Sequence, residues 1–187
     1  MFRRLSRAAE QLTNLAHEVQ LMNRRGWWRW GGVWFSDTFI AIAAYRLNRS
    51  AYLALGPAWS AAHVALAPLR LAASPWTPRC EIHYEADIGR GLRLLHPSLG
   101  IVVSGKTVAG KNLVLTGGNC IGSRKPLKDG DIRLGDDVML GANAVVLGPV
   151  TLGNGVRVGA GALVVRDAAD GETLTAPVAR TREPVAS

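Results

Sequence analysis

From Leu134 onward an aliphatic residue returns every six positions, at Leu134, Leu140, Val146, Leu152, Val158 and Val164. Four residues after each anchor stands a second apolar set, Val138, Ala144, Val150, Val156, Ala162 and Ala168, and glycine follows the anchor directly at 135, 141, 153 and 159. A helical stripe of 3.6 residues would not hold a strict six, and plain alternation would not call for glycine in phase. This is the hexapeptide pattern of a parallel β-helix, in which each hexad is a short strand plus a turn and three hexads close a coil of about 18 residues. Anchors then stack as aliphatic columns at strand spacing, roughly 4.8 Å per coil. Glycine and residues such as Asn143 and Asn154 suit the corners, where the backbone turns sharply.

The same period appears upstream in two other registers, Ile82, Ile88 and Leu94, then Val103, Ala109, Leu115 and Ile121. Leu94 to Val103 is nine positions instead of six, so about three residues bulge out around His96-Pro97-Ser98-Leu99-Gly100. Ile121 to Leu134 is thirteen, so roughly seven residues loop out within 122–133. Interruptions of a regular solenoid are the usual place for function, because the coils themselves only scaffold. Thirteen anchors predict a little over four coils.

Residues 1–80 follow another rule. Leu5, Ala8, Ala9, Leu12, Leu15, Ala16, Val19 and Leu21 recur at helical spacing until Arg24-Arg25-Gly26 breaks the pattern. Trp27, Trp28, Trp30 and Trp34 come next, with Arg29 among them, and residues 51–69 carry no charge. Gly56-Pro57 and Pro68 interrupt that run, which predicts helices packed on each other over a spanning segment, with shallow membrane contact through 24–74 as a further expectation. The chain thus divides into a helical, basic, tryptophan-rich region at 1–80, a β-helix at 81–170 with an extruded loop at 122–133, and a tail at 171–187.

Charge and cysteine content narrow the classes. The 187 residues carry a net charge of +8, and residues 1–80 hold ten Arg against Glu10, Glu18 and Asp37. Such asymmetry suggests an anionic partner for the first part, and the membrane surface is preferred to nucleic acid because no nucleic-acid-binding module surrounds the arginines. Cys80 and Cys120 form no CxxC pair and read as reduced, structural thiols. Glu10, Gln11 and Asn14 stand where a signal peptide would need its apolar core, so a cytoplasmic location, peripheral at the inner membrane face, is the expectation.

The stretch Glu81–Ala179 resembles the serine acetyltransferases and their relatives among left-handed β-helix hexapeptide acyltransferases. The likeness rests on Glu81-Ile82-His83, Ile88-Gly89-Arg90-Gly91, His96 followed by Gly100-Ile101-Val102-Val103, and Val138-Met139-Leu140-Gly141-Ala142 with the hexads after it. The resemblance implies a left-handed coil, a homotrimer and acetyl-CoA as cosubstrate. It implies a general base at His96, with Glu81, fifteen positions earlier, holding the ring where the family usually has aspartate. Histidine suits the task because its pKa lies near working pH. The pantetheine arm is expected near Gly122, Ser123, Ala142 and Ala160, where small residues admit a ligand to the backbone. Lys106, Lys111, Arg124, Lys125 and Lys128 are candidates for the phosphates, Lys128 first among them.

Other chemistries find less support. Ser98, Ser104 and Cys120 lack a nucleophile motif, and His83 and His96 are too few for a three-histidine zinc site, so no metal is expected. Leu95 stands where serine acetyltransferases have aspartate, and Gly130-Asp131 where they have Arg-His. A zwitterionic amino acid would miss a cation and an acid there. The expected acceptor is therefore a sugar hydroxyl of a surface polysaccharide or its precursor. Serine O-acetylation is the alternative, and a non-catalytic trimeric scaffold is the second.

Overall fold

A computed structural model describes residues 2–23, 34–73, 78–123, 125–126 and 128–177. The tryptophan cluster at 27–30, Arg124 and the end of the chain from 178 lie outside the described residues. Among the described residues the helices are Phe2–Asn23 (α1), Asp37–Leu55 (α2), Pro57–Ala65 (α3) and Ala67–Ala73 (α4). From Cys80 the chain is a parallel β-solenoid, as the period predicts.

Its strands fall on three faces. The first face stacks Cys80–Ile82 (β1), Ile101–Val103 (β4), Asn119–Gly122 (β7), Val145–Leu147 (β10) and Leu163–Val164 (β13). The second holds Asp87–Ile88 (β2), Thr107–Ala109 (β5), Ile132–Leu134 (β8) and Val150–Leu152 (β11). The third holds Arg93–Leu94 (β3), Val114–Leu115 (β6), Met139–Leu140 (β9), Arg157–Val158 (β12) and Thr173–Leu174 (β14). All pairs are parallel, and both apolar sets from Leu134 to Ala168 point inward into one continuous core.

The register measures the interruptions. Met139 pairs with Arg157, eighteen residues on, which is one regular coil. Cys80 pairs with Ile101, twenty-one on, and Cys120 with Val145, twenty-five on, so the surpluses are three and seven as the anchors imply. Arg157 pairs with Thr173, only sixteen on. This shortened last coil carries the solenoid to Leu174, beyond the boundary expected at 170. The six-residue phase fails there because two residues are missing, so the final rung is hidden from a period count.

The amino-terminal helices close the open end of this core. A first coil leaves its inner apolar side and its edge carbonyls without a partner below, which is costly in the absence of a cover. Ala41, Ile42 and Tyr45 of α2 supply the apolar cover and join the same core as Ile88, Leu92 and Leu94. The Tyr45 hydroxyl donates to Ala86 O at 2.9 Å and accepts from Ile88 N. Arg46, wholly buried, donates to Ile88 O and Gly89 O at 2.8 and 2.7 Å, to Gln11 Oε1, and to both carboxylate oxygens of Glu18. Glu18 in turn accepts from Leu92 N, and Arg49 donates to Tyr84 O and Glu85 O and pairs with Asp87, as does Arg7. Three of the ten arginines thus serve the chain's own carbonyls and carboxylates. The charge count alone suggests an external anionic partner for this region.

Candidate active site

The three-residue surplus produces a short 3₁₀ turn, Pro97–Leu99, and His96 stands at its amino-terminal cap. Proline at the first turn position fixes φ, and Gly100 with φ +86° lets the chain turn back into β4. The His96 side chain is exposed, and among the described residues its ring makes no hydrogen bond. Its backbone is fixed from both sides: His96 N donates to Thr116 O at 2.9 Å, and His96 O accepts from Leu99 N. Helix α2 packs on this turn, and Thr38 Oγ1 donates to Leu94 O at 3.2 Å.

His96 sits at the corner between the third and first faces, and the next coils repeat that corner directly above it. Thr116, Gly117 and Gly118 form the second tier, Gly141, Ala142 and Asn143 the third, and Gly159, Ala160 and Gly161 the fourth. Backbone bonds tie the tiers together, Thr116 N to Leu140 O, Asn143 N to Gly117 O and Gly161 N to Ala142 O. Three strand spacings separate His96 from Ala160, about 14 Å. Gly141 is obligatory here, because a Cβ would lie 2.7 Å from Ala160 N, whereas the outer side of Gly161 is open. Ala142 and Ala160 therefore present small side chains at the same corner as the imidazole, with Gly117 buried between them and the turn.

Two residues that build this corner escape a reading of the sequence. Gly117, with φ +138°, lies so close above the turn that a Cβ would come 2.5 Å from His96 O and 3.2 Å from His96 Cβ. Asn119 is buried; its Oδ1 accepts from Gly117 N at 2.9 Å and its Nδ2 donates to Gly141 O at 2.7 Å. Asn119 occupies an inward position where the regular coils, Thr107 apart, have an aliphatic residue. That break in the hydrophobic pattern, beside a Gly-Gly pair, was the available signal.

The other candidates divide. Glu81 is exposed on the outer side of β1, opposite Val102, and no hydrogen bond joins it to His96. Gly122 and Ser123 lie at the opposite corner of the first face from Ala142 and Ala160, so one chain does not gather the four. There Ser123 Oγ donates to Gly148 O and accepts from Lys125 N, and Gly122 O accepts from Gly148 N. Lys128 is exposed in the extruded loop, where its N–H donates to Asp131 Oδ2 at 2.8 Å.

The basic stretch is less available than its composition suggests. Lys106 Nζ binds Asp129 Oδ1 at 2.6 Å and Glu85 Oε2 at 3.4 Å, and the hydrogen bond to Asp129 holds its pKa above the usual lysine value. Together with the Gly130 N to Lys106 O bond, this pair pins the loop to the second coil. Lys111 belongs to a different corner, beside Asp136. His83 is also committed: its Nδ1 accepts from Glu85 N and its ring stacks on Tyr84 with centroids 4.4 Å apart. Cys80 and Cys120 are free thiols, and burial pushes Cys80 up to about 12, far from a reactive thiolate.

Comparison with known proteins agrees with this architecture. Residues 131–166 match the family model described as bacterial transferase hexapeptide (six repeats). Serine acetyltransferase 1, chloroplastic, of Arabidopsis thaliana is 42% identical over 101 residues, which span 54% of this chain and 32% of that protein. The chain thus spans about a third of the length of this curated relative. The solved serine acetyltransferase of Neisseria gonorrhoeae superposes with a TM-score of 0.70 at 26% identity, over 98% of this chain and 68% of that one. Its complex with serine gives a TM-score of 0.71 at 26% identity, over 91% and 68%. The repeat domain that carries the His96 corner is a hexapeptide-repeat β-helix, and it is similar in sequence and in fold to the serine acetyltransferases.

Proposed function

We propose that the chain is an acetyl-CoA-dependent O-acetyltransferase, active as a left-handed homotrimer, with His96 as the general base. The observation that carries this reading is the exposed, uncommitted imidazole at the foot of the small-residue column. In the reaction, His96 accepts the proton of the acceptor hydroxyl as its oxygen attacks the thioester carbonyl. The C–S bond then breaks, and the imidazolium returns the proton to the leaving thiolate. An alcohol is a far weaker acid than imidazolium, so the proton moves as the C–O bond forms. Glu81 is assigned the role of fixing the ring's tautomer and stabilising the imidazolium, a contact that closes when substrates are bound.

Acetyl-CoA is assigned to the column of Ala142 and Ala160, where small side chains leave room for an extended arm above the buried Gly117. Because Gly122, Ser123 and Lys128 lie at the other corner of the first face, a trimer seam joining two unlike corners would bring the two sets together, one from each subunit. Serine is the first acceptor proposed, because the relatives are named serine acetyltransferases and one of them is solved with serine. A glycan hydroxyl is the second reading. Leu95, 41% exposed beside His96, favours it, since it offers an acceptor apolar surface where a charged amino acid would seek a carboxylate.

Thiol release from acetyl-CoA tests both levels. His96→Ala is expected to lower kcat by about 10²–10⁴-fold, the contribution of a positioned base, with native mass and melting unchanged. Retained turnover would remove the catalytic assignment. Saturation by L-serine with a KM of about 1 μM–1 mM supports serine, and turnover with glycan acceptors alone moves the choice to the sugar. Absence of turnover with every acceptor would leave a trimeric scaffold.

A further inference from the structure

Helix α3 leaves one of its sides uncovered. Ser60 Oγ accepts from the Tyr84 hydroxyl at 3.3 Å, and the His63 ring meets Tyr84 edge-on at 5.0 Å. Trp59 is half-buried beside His63, and none of the helix's side chains is fully buried. On the other side Val64 is 74% exposed, and the outward run continues through Leu66 into α4 with Leu69 at 68% and Leu71 at 74%. An ordinary surface helix keeps its large apolar residues inward and its polar residues to water. A continuous exposed apolar strip marks an interaction surface.

The charge beside the strip indicates what it meets. Arg3 and Arg4 of α1 are exposed and form no ion pair among the described residues. Arg4 reaches the junction of α2 and α3, where a Cβ on Gly56 would lie 3.3 Å from its guanidinium. No acid occurs in residues 1–9 or 51–73. In a two-fold contact a second copy of this chain would bring its own arginines against these, and like charges facing across a self-complementary contact oppose it. A bilayer with anionic headgroups matches both features, apolar residues entering the headgroup boundary and arginines meeting phosphate. Among the described residues no helix is long and apolar enough to cross a membrane, and a strip of this size only lies on one.

We infer that α3 and α4, with Arg3 and Arg4, form a docking surface for an anionic lipid bilayer. The surface is separate from His96 and does not depend on the reaction proposed above. The test is flotation of the full chain with vesicles of phosphatidylglycerol and phosphatidylcholine, compared with phosphatidylcholine alone. The expected result is binding to the anionic vesicles, falling at least about tenfold on neutral vesicles or in 0.5 M salt, as screening of surface charge requires. Val64→Glu with Leu71→Glu should lower the bound fraction by a similar factor with native mass unchanged, and His96→Ala should bind like the original chain. Lack of binding by the unaltered chain to anionic vesicles overturns the inference, and that comparison needs no variant to fold. A change of native mass in the double variant overturns it in favour of a second copy.

Discussion

Replacing Gly117 by alanine isolates the mechanical link between the solenoid and its candidate base. The new methyl group would begin 2.5 Å from His96 O, and real Cβ contacts essentially never fall below 3.0 Å, so the turn has to move by at least half an ångström. The obstacle is backbone, which cannot rotate aside as the end of a long side chain can. Misplacement of a reacting group by 1 Å costs about 10²-fold, so kcat is expected to fall roughly 10–100-fold. The φ of +138° adds strain of about 1–3 kcal/mol for a non-glycine residue. At about 2–4 °C per kcal/mol for a chain of this size, melting should drop by about 2–12 °C. Gly155→Ala is the control for a left-handed φ without a clash, since its φ of +67° is close to those of Asn112, Asp137 and Asn143, its nearest atom is 3.9 Å away and it lies at another corner. Thiol-release kinetics with thermal melts of both variants decide the matter. A folded Gly117→Ala enzyme with kcat within twofold of the original would refute the claim that this corner positions the imidazole.

Arg46→Ala should destabilise the fold by about 3–5 kcal/mol, because Glu18 is left charged and buried without its partner; chemical denaturation measures this, and a loss below about 1 kcal/mol would contradict the capping role of α2. Cys80 should resist alkylation in the native protein at pH 9, because burial raises its pKa to about 12 while the unfolded thiol ionises near 9. The sign follows: the folded state keeps a proton that the unfolded chain releases, so this group's contribution to stability is full below pH 9 and declines toward pH 12. Rapid labelling of native Cys80, read by mass spectrometry, would refute it.

The solenoid was legible because its rule is local and repeated. Leu134, Leu140 and Val146 each point inward for the same reason, so one period fixes thirteen anchors, and any break in phase reports how many residues leave the coil. His96 could be found on that account, since it occupies the break at Leu94–Val103. The shortened last coil escaped because it deletes residues and adds no new pattern, and Gly117 and Asn119 escaped because their importance arises between tiers. Stacking makes residues about one coil apart into neighbours, and nothing local in Gly117 announces the His96 carbonyl beneath it.

The arginines show the same division. Composition alone determined that the first eighty residues are basic, but a charge count cannot tell a surface guanidinium from one that has reached a carbonyl. Only the docking of α2 on the first coil decided that Arg46 and Arg49 close the open end, because buried polar groups must find partners and the edge of the solenoid supplied them. Likewise the uncharged run at 51–69 was visible as composition, while its direction was not. The contact of Ser60 and His63 with Tyr84 turned their side of the helix inward and left Val64, Leu69 and Leu71 facing out.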